Sequence, residues 1–291
     1  MYSLPSEFPR EPGLPDVYHD LQPALLSATL RLTNYGAENR FTGSDLNLYY
    51  DKAHRLWHKR PDWFLALDVP YLYNGTDLRE SYVAWDEKET HPYLIVELLS
   101  PGTAKQDLGP FYHPEDEMDP GAEEVPEMDH YLEETESDSD SNGSNGSNGA
   151  ETGSSETQRV KPPAKWTVYQ DILRVPNYVV FDRRSSKLWF FKLVDGKYER
   201  QPVDRESPRL WFEDLQIGLG VWEGEYNEAT QVWLRWFDAA GDWIPTPEEE
   251  AERERQEKLQ ERQRADEAER RAALLLERLK QQGIDVDLDD L

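Results

Sequence analysis

Two acidic residues set into short apolar runs are where this sequence could do chemistry. The first run is Arg60-Pro61-Asp62-Trp63-Phe64-Leu65-Ala66-Leu67, and the second is Tyr93-Leu94-Ile95-Val96-Glu97-Leu98-Leu99-Ser100-Pro101-Gly102-Thr103. Each is bounded by Pro, Gly or Asp, and short apolar segments of this kind read as strands buried on both faces. An ionised carboxylate left unpaired in such an interior costs several kcal/mol. Two of them on neighbouring strands call for a shared cation or a basic partner, and a divalent metal is the first choice.

The elements that must position these acids follow from the pattern on either side. Pro15-Asp16 to Thr33 reads as an amphipathic helix, with Leu21, Leu25, Ala28 and Leu32 on one face and Asp16 as its cap. Leu46 to Tyr50, Asp62 to Leu67 and Tyr93 to Leu99 then read as strands, an α-then-β start. Order resumes at Pro162-Pro163-Ala164-Lys165-Trp166-Thr167-Val168-Tyr169-Gln170-Asp171-Ile172-Leu173, where the prolines and the spacing of Val168, Ile172 and Leu173 predict a helix of about ten residues that opens with a lysine. Asn177 to Asp182 and Lys187 to Leu193 read as two strands joined by Arg183-Arg184-Ser185-Ser186, and strand-like pieces continue to Trp243 with turns expected at Asp195-Gly196, Glu223-Gly224 and Gly241-Asp242. The aromatic residues Trp211, Trp222, Tyr226, Trp233, Trp236 and Trp243 read as core and sheet-edge packing.

Composition divides the chain unevenly. Residues 110–163 hold 15 acidic residues against two basic ones, and they include the low-complexity run Ser137-Asp138-Ser139-Asp140-Ser141-Asn142-Gly143-Ser144-Asn145-Gly146. Nothing there can form a core, so the segment reads as a disordered acidic insertion. Past Pro245-Thr246-Pro247 the chain turns to Glu, Arg, Gln and Ala. This predicts one long charged helix over 247–282, with Thr246 as cap, i,i+4 pairs such as Glu249 to Arg253 and Glu267 to Arg271, and Gly283 as stop. Ala268, Ala272, Leu275, Leu276 and Leu279 form its apolar stripe, where self-association would begin; the alternative is a solvated single helix, since a coiled coil normally shows three or more clean heptads. The divisions are a lead over 1–14, a main domain over 15–245 interrupted by the insertion, the terminal helix, and an acidic tail over 283–291.

The longest apolar runs are far shorter than a bilayer span, and the first residues lack the pattern of a signal peptide, so a cytoplasmic protein without a membrane partner is expected. The chain has no cysteine, which excludes disulfides, thiolate metal sites and cysteine nucleophiles. Its six histidines show no zinc spacing and read as surface residues. The formal charge of −27 opposes binding to polyanions. The segment His54-Arg55-Leu56-Trp57-His58-Lys59-Arg60 is the most basic stretch, and it adjoins Asp62.

A helix, strands bearing an aspartate and then a glutamate, a helix opening with a lysine, and another strand: this order resembles the PD-(D/E)XK nuclease superfamily, and within it the Uma-type restriction endonuclease family. The matching pieces are Pro61-Asp62 before an apolar strand, Val96-Glu97-Leu98-Leu99-Ser100-Pro101-Gly102-Thr103 with Asp107 shortly after, and Lys165 four residues before Tyr169. The run Arg174-Val175-Pro176-Asn177-Tyr178-Val179-Val180-Phe181-Asp182 and the later Leu215-Gln216-Ile217-Gly218-Leu219 complete the set. The resemblance covers residues 15 to 245 outside the insertion.

The resemblance implies a restriction-endonuclease-like α/β (α+β) fold, a mixed central sheet flanked by helices, and metal-dependent hydrolysis of DNA. Asp62 and Glu97 would hold Mg2+ or Mn2+ with help from the backbone carbonyl of Leu98, and Lys165 would be the third catalytic residue. The sequence departs from the superfamily pattern two residues after the glutamate, where Leu99 stands in place of lysine. Arg55, Lys59 and Arg60 are expected to meet substrate phosphates. Asp20, Gln22, Asp107 and Tyr169 are expected to surround the site. Cutting both strands in one event would call for a homodimer. The alternative is a non-catalytic nuclease fold that acts in protein association through the terminal helix and the acidic insertion.

Overall fold

A computed structural model describes residues 16–100, 102–114 and 161–282. The described residues are mixed α/β, with three sheets and a long C-terminal helix. The N-terminal lead, most of the acidic insertion, His130, Gly283 and the acidic tail lie outside the described residues.

Helix α1 (Val17–Thr29) is capped as the sequence predicts, the Asp16 carboxylate accepting from the His19 N–H at 3.1 Å. It stops at Thr29, four residues before the expected end, because Leu30 turns to an extended conformation. The buried face is Tyr18, Gln22, Leu25, Leu26 and Thr29, rotated from the expected stripe: Leu21 and Ala28 lie at its margin. Strands β1 (Arg40–Gly43), β2 (Leu48–Tyr49), β3 (His58–Lys59), β4 (Trp63–Leu67), β5 (Tyr82–Val83) and β6 (Leu94–Leu98) follow. The strand expected over Leu46 to Tyr50 shrinks to the two residues of β2, which with β3 and β5 forms a small side sheet.

After α2 (Ala104–Leu108) and a 3-10 turn at Gly109–Phe111, the described chain resumes before α3 (Lys165–Thr167), which widens into a π-helical turn over Val168–Ile172. The expected ten-residue helix is thus eight residues in two geometries. The order also extends further into the acidic stretch than composition suggests: the Phe111 ring packs at a tilt against Trp166 and Phe191, with ring centroids 5.8 and 5.1 Å away. Gly109 makes this packing feasible. Its φ of +51° suits a residue without Cβ, and a Cβ there would collide with the Trp166 indole.

The remaining strands are β7 (Asn177–Asp182), β8 (Lys187–Val194), β9 (Lys197–Gln201), β10 (Arg209–Phe212), β11 (Ile217–Tyr226) and β12 (Ala229–Phe237), followed by α4 (Pro247–Gln281). The main sheet has the order β1-β4-β6-β7-β8-β9 and is antiparallel at every pair except β6–β7. A parallel pair needs a crossover, and here it is the long connection that carries α2 and α3.

Strand alternation sorts the core into two layers. Trp63, Leu65, Val96, Leu98, Val179 and Phe181 face α1 and the second sheet, β10-β11-β12. Phe64, Ala66, Ile95, Tyr178, Val180 and Phe191 face the crossover, where Trp166, Val168 and Tyr169 meet them. Trp233 and Trp236 are fully buried in the first layer.

Glu223-Gly224 is not a turn. Both residues lie inside β11, and the hairpin turns at Asn227-Glu228, both at positive φ. Gly224 is needed because the Trp222 ring lies over its backbone, where a Cβ would clash. The expected pair of Glu249 with Arg253 is also replaced: the Glu249 carboxylate caps the Thr246 N–H at 2.8 Å and pairs with the buried Arg235 guanidinium, which fastens the start of α4 to β12.

Gln22, expected beside the catalytic groups, belongs to this framework. Its amide accepts from the Leu234 N–H at 2.7 Å and donates to the Leu234 carbonyl at 2.8 Å, serving β12 as a neighbouring strand would. The Tyr18 hydroxyl donates to the same side chain at 2.9 Å. Asp20 lies exposed on the same helix, where its charge acts on Tyr226 of β11. Gln22→Leu strands a buried N–H and a buried carbonyl and is expected to cost about 2–3 kcal/mol in urea denaturation, while leaving any ligand binding at Glu97 unchanged.

Candidate active site

Asp62 lies one residue before β4, and extending the Trp63–Val96 pairing by one residue sets it across from Glu97. Alternation then puts both acids on the crossover side of the sheet, Asp62 with Phe64 and Glu97 with Ile95. Pro61 explains how Asp62 is held. The Pro61 carbonyl accepts from the Asp45 N–H at 3.1 Å, and the Leu98 N–H donates instead to Asp62 Oδ2 at 2.6 Å. In an extended strand the N–H and C=O of one residue point to the same edge. The Leu98 carbonyl therefore faces the β4 edge as well, as a metal ligand beside Asp62 would have to.

The crossover supplies the rest. Lys165 Nζ lies 3.3 Å from Glu97 Oε2 and 2.5 Å from Asp107 Oδ1 on α2. The Tyr169 hydroxyl, one helical turn after Lys165, donates to Glu97 Oε1 at 2.8 Å. The Tyr178 hydroxyl donates to the Asp107 backbone carbonyl at 2.8 Å, tying α2 to β7. Glu97 and Asp107 are both 1% exposed, whereas the Lys165 side chain keeps 15% and Asp62 is half-buried. The cluster opens to solvent at its Asp62 and Lys165 end.

The electrostatics follow from three carboxylates meeting one ammonium. Burial pushes the Asp62 carboxyl up to about 6, against the opposing pull of the Leu98 N–H and of Lys165. Burial raises Glu97 well above the usual carboxylate range, with Lys165 opposing and the Asp62 and Asp107 charges adding to the rise. Burial alone would lower Lys165, but Asp107 and Glu97 outweigh it and its pKa rises, so the side chain stays an ammonium. The Asp62 and Glu97 carboxyls are close enough to hydrogen-bond to each other. Without a further cation they are better off sharing a proton than standing doubly ionised.

This donor set fits a hard divalent ion. With all three acids ionised the cluster carries two more negative charges than positive, the deficit that one such ion would cancel. Among the described residues no group of three or more His, Cys, Asp or Glu side chains is placed to hold a metal ion, and Asp107 is engaged by Lys165. The protein would then contribute Asp62, Glu97 and the Leu98 carbonyl. That matches Mg2+, which is usually held by one or two carboxylates while keeping several of its waters.

The basic segment divides. Lys59 is half-buried, and burial together with the Lys165 charge lowers its pKa, which places its ammonium within reach of the site's field. Arg60 is drawn away into an exposed pair with Asp45, two contacts of 2.6 Å, and Arg55 is exposed on the preceding turn. Asp62, Glu97, Lys165, Asp107 and Tyr169 are brought together by the fold; Asp20 and Gln22 are not. The roles of Tyr178 and of the Asp107–Lys165 pair are unannounced in the sequence. The nearest signal is the acid that follows the Ser100–Thr103 turn.

No family model, curated protein or solved structure matches the chain.

The raised Asp62 pKa has a sign. Between about pH 4, where a carboxyl titrates in the unfolded chain, and the folded value of about 6, the folded state holds a proton that the unfolded state has released. The contribution of Asp62 to the stability of the metal-free protein therefore falls as pH rises through that window. Asp62→Asn keeps an acceptor for the Leu98 N–H and removes the charge. In chelator it should stabilise the protein at pH 7.5 by about 1–2 kcal/mol, allowing for the partial exposure of the site, and the gain should vanish near pH 4, as read by urea denaturation at both pH values.

Proposed function

We propose that this chain is a metal-dependent endonuclease of the PD-(D/E)XK type, acting on phosphodiester bonds of DNA. The observation that carries the reading is the meeting of Asp62, Glu97 and Lys165. They arrive from an antiparallel strand edge, the neighbouring strand and the crossover, and they converge in one charge cluster in which Glu97 is buried while Asp62 and Lys165 are partly exposed. The fold order supports it: a helix, strands bearing the two acids, a crossover carrying the lysine, and a strand parallel to the one that bears the glutamate.

A divalent ion bound at Asp62, Glu97 and the Leu98 carbonyl would supply Lewis acidity to the phosphate and acidify an attacking water. The chain's own residues do the rest. Tyr169 fixes the rotamer of Glu97 through its 2.8 Å hydrogen bond, and the Leu98 N–H fixes Asp62. Lys165 is held by Asp107 and Glu97 on a side chain that keeps partial exposure, and in this reading its ammonium pairs with a phosphate oxygen or orients a water. Lysine two residues after the glutamate is thus replaced in function by a lysine from the crossover, and Leu99 is free to face the protein. Lys59 adds a second positive charge near the site in a chain whose net charge would otherwise repel nucleic acid. In this reading the fold is restriction-endonuclease-like, the substrate is DNA and the ion is Mg2+ or Mn2+.

Calorimetric titration of Mn2+ and Mg2+ into wild type and Glu97→Gln, with plasmid cleavage measured on the same samples, tests the reading. Saturable binding in the wild type and its loss in the variant are expected. No binding to the wild type overturns it. Metal binding should also strengthen about tenfold per pH unit below 6, where Asp62 must give up its proton to bind.

Lys165→Met separates the lysine's role from the metal's. Cleavage should fall by a factor of about 100 or more, while metal affinity at pH 8 should be retained or improved, because the ammonium that competes for Glu97 is gone. Equal loss of both would make Lys165 a structural counter-ion instead.

A further inference from the structure

Helix α4 leaves the body of the protein almost at once. Its first turn is held by the Arg235–Glu249 pair and by a 3.9 Å contact of Glu250 with Arg31. From Ala251 to Leu275 every residue is exposed. Its 35 residues make a rod about 50 Å long. A helix of this length standing in water is supported only by side-chain pairs along its own surface, such as Arg255–Glu252, Lys258–Glu254 and Arg271–Glu267.

The rod nonetheless carries a seam. Ala265, Ala268, Ala272, Leu275 and Leu279 recur at spacings of three and four, the a and d positions of a heptad, with Leu276 widening the stripe at its end. Leu275 is 59% exposed. Toward the body the same register places Glu254, Lys258 and Glu261 on the seam, so the apolar part is confined to the distal half of the rod.

The flanking charges select the partner. In a parallel, in-register pair of helices each g residue faces the e residue five positions later on the other helix. With Ala265 at an a position, Glu257 faces Arg262, and Arg264 faces Glu269; the next pair, Arg271 with Leu276, is neutral. Both charged pairs are attractive, and in a symmetric dimer each occurs twice. A second copy of the same helix is therefore complementary in charge as well as in its apolar seam.

We propose that the distal half of α4 is a parallel, in-register homodimerisation helix, which holds two copies of the domain side by side at the same end of a two-stranded coiled coil. The inference is independent of the metal reading.

The chain has no native cysteine, so single cysteines introduced into the full-length protein report the geometry directly. Ala265→Cys and Ala272→Cys should each form a disulfide-linked dimer under mild oxidation, while Arg270→Cys, on the outer face of the helix, should not. Sedimentation equilibrium of the unmodified chain across micromolar to submillimolar concentrations should show a reversible dimer. Glu257→Arg should raise its dissociation constant about tenfold, and adding Arg262→Glu should restore it. A monomer at every concentration overturns the proposal. So does cross-linking at only one of positions 265 and 272, as an antiparallel or shifted pair would give, or equal cross-linking at position 270.

Discussion

The structure is organised around one electrostatic constraint: a glutamate placed on a central strand, where water cannot reach it, must be met by a cation brought from elsewhere in the chain. Glu97 is 1% exposed and its neighbours on both sides face packed layers. Lys165 is the group that meets it, and reaching it requires the crossover to pass over that face of the sheet. The parallel pairing of β6 with β7 provides this path, since two parallel neighbours can be joined only by a connection that leaves the sheet and returns. Packing of Trp166, Val168 and Tyr169 against Tyr178, Val180 and Phe191 then fixes where the lysine stands. Asp107 and Tyr169 are consequences of the same need: one holds the ammonium and the other holds the carboxylate.

How much of this could be read from the sequence depended on whether the signal was local. Strands β4, β6, β7 and β8 are short apolar runs with clear boundaries, and they appear within a residue or two of where the pattern puts them. Strands β1 and β5 are polar or only two residues long, and they exist because an edge or a side sheet accepts them, which no local pattern announces. Glu223-Gly224 was misleading because a glycine beside a charge normally marks a turn, whereas here it makes room for the Trp222 ring. The true turn, Asn227-Glu228, lacks the glycine that a tight hairpin with two positive φ values usually carries.

The site residues divide in the same way. Asp62 and Glu97 stand out because an acid in an apolar run is costly wherever the run folds, so its type alone raises a question. Lys165 is legible only through the order of elements, since a lysine after a polar segment is ordinary by itself. Gln22 illustrates the converse. It reads as a polar residue on a helix that should approach the site, and its amide is spent on the Leu234 backbone of another sheet. Side-chain amides that pair with a remote strand leave no trace in spacing.

The cluster is built with more negative charge than its lysine can neutralise, which is unfavourable for folding; in the proposed reading the excess is what would attract a cation. Had stability alone shaped it, Asp62 would be better replaced by a neutral acceptor for the Leu98 N–H, because its carboxyl is pushed up to about 6 by its surroundings. Moderate elevation has a functional advantage over deeper burial. A carboxyl that titrates near 6 is mostly ionised at neutral pH, while one buried as completely as Glu97 depends on Lys165 beside it to favour its charged form. In the proposed reading, the partial exposure of Asp62 and the full burial of Glu97 behind it would make Asp62 the acid that an ion can reach first, with Glu97 held ready by Tyr169.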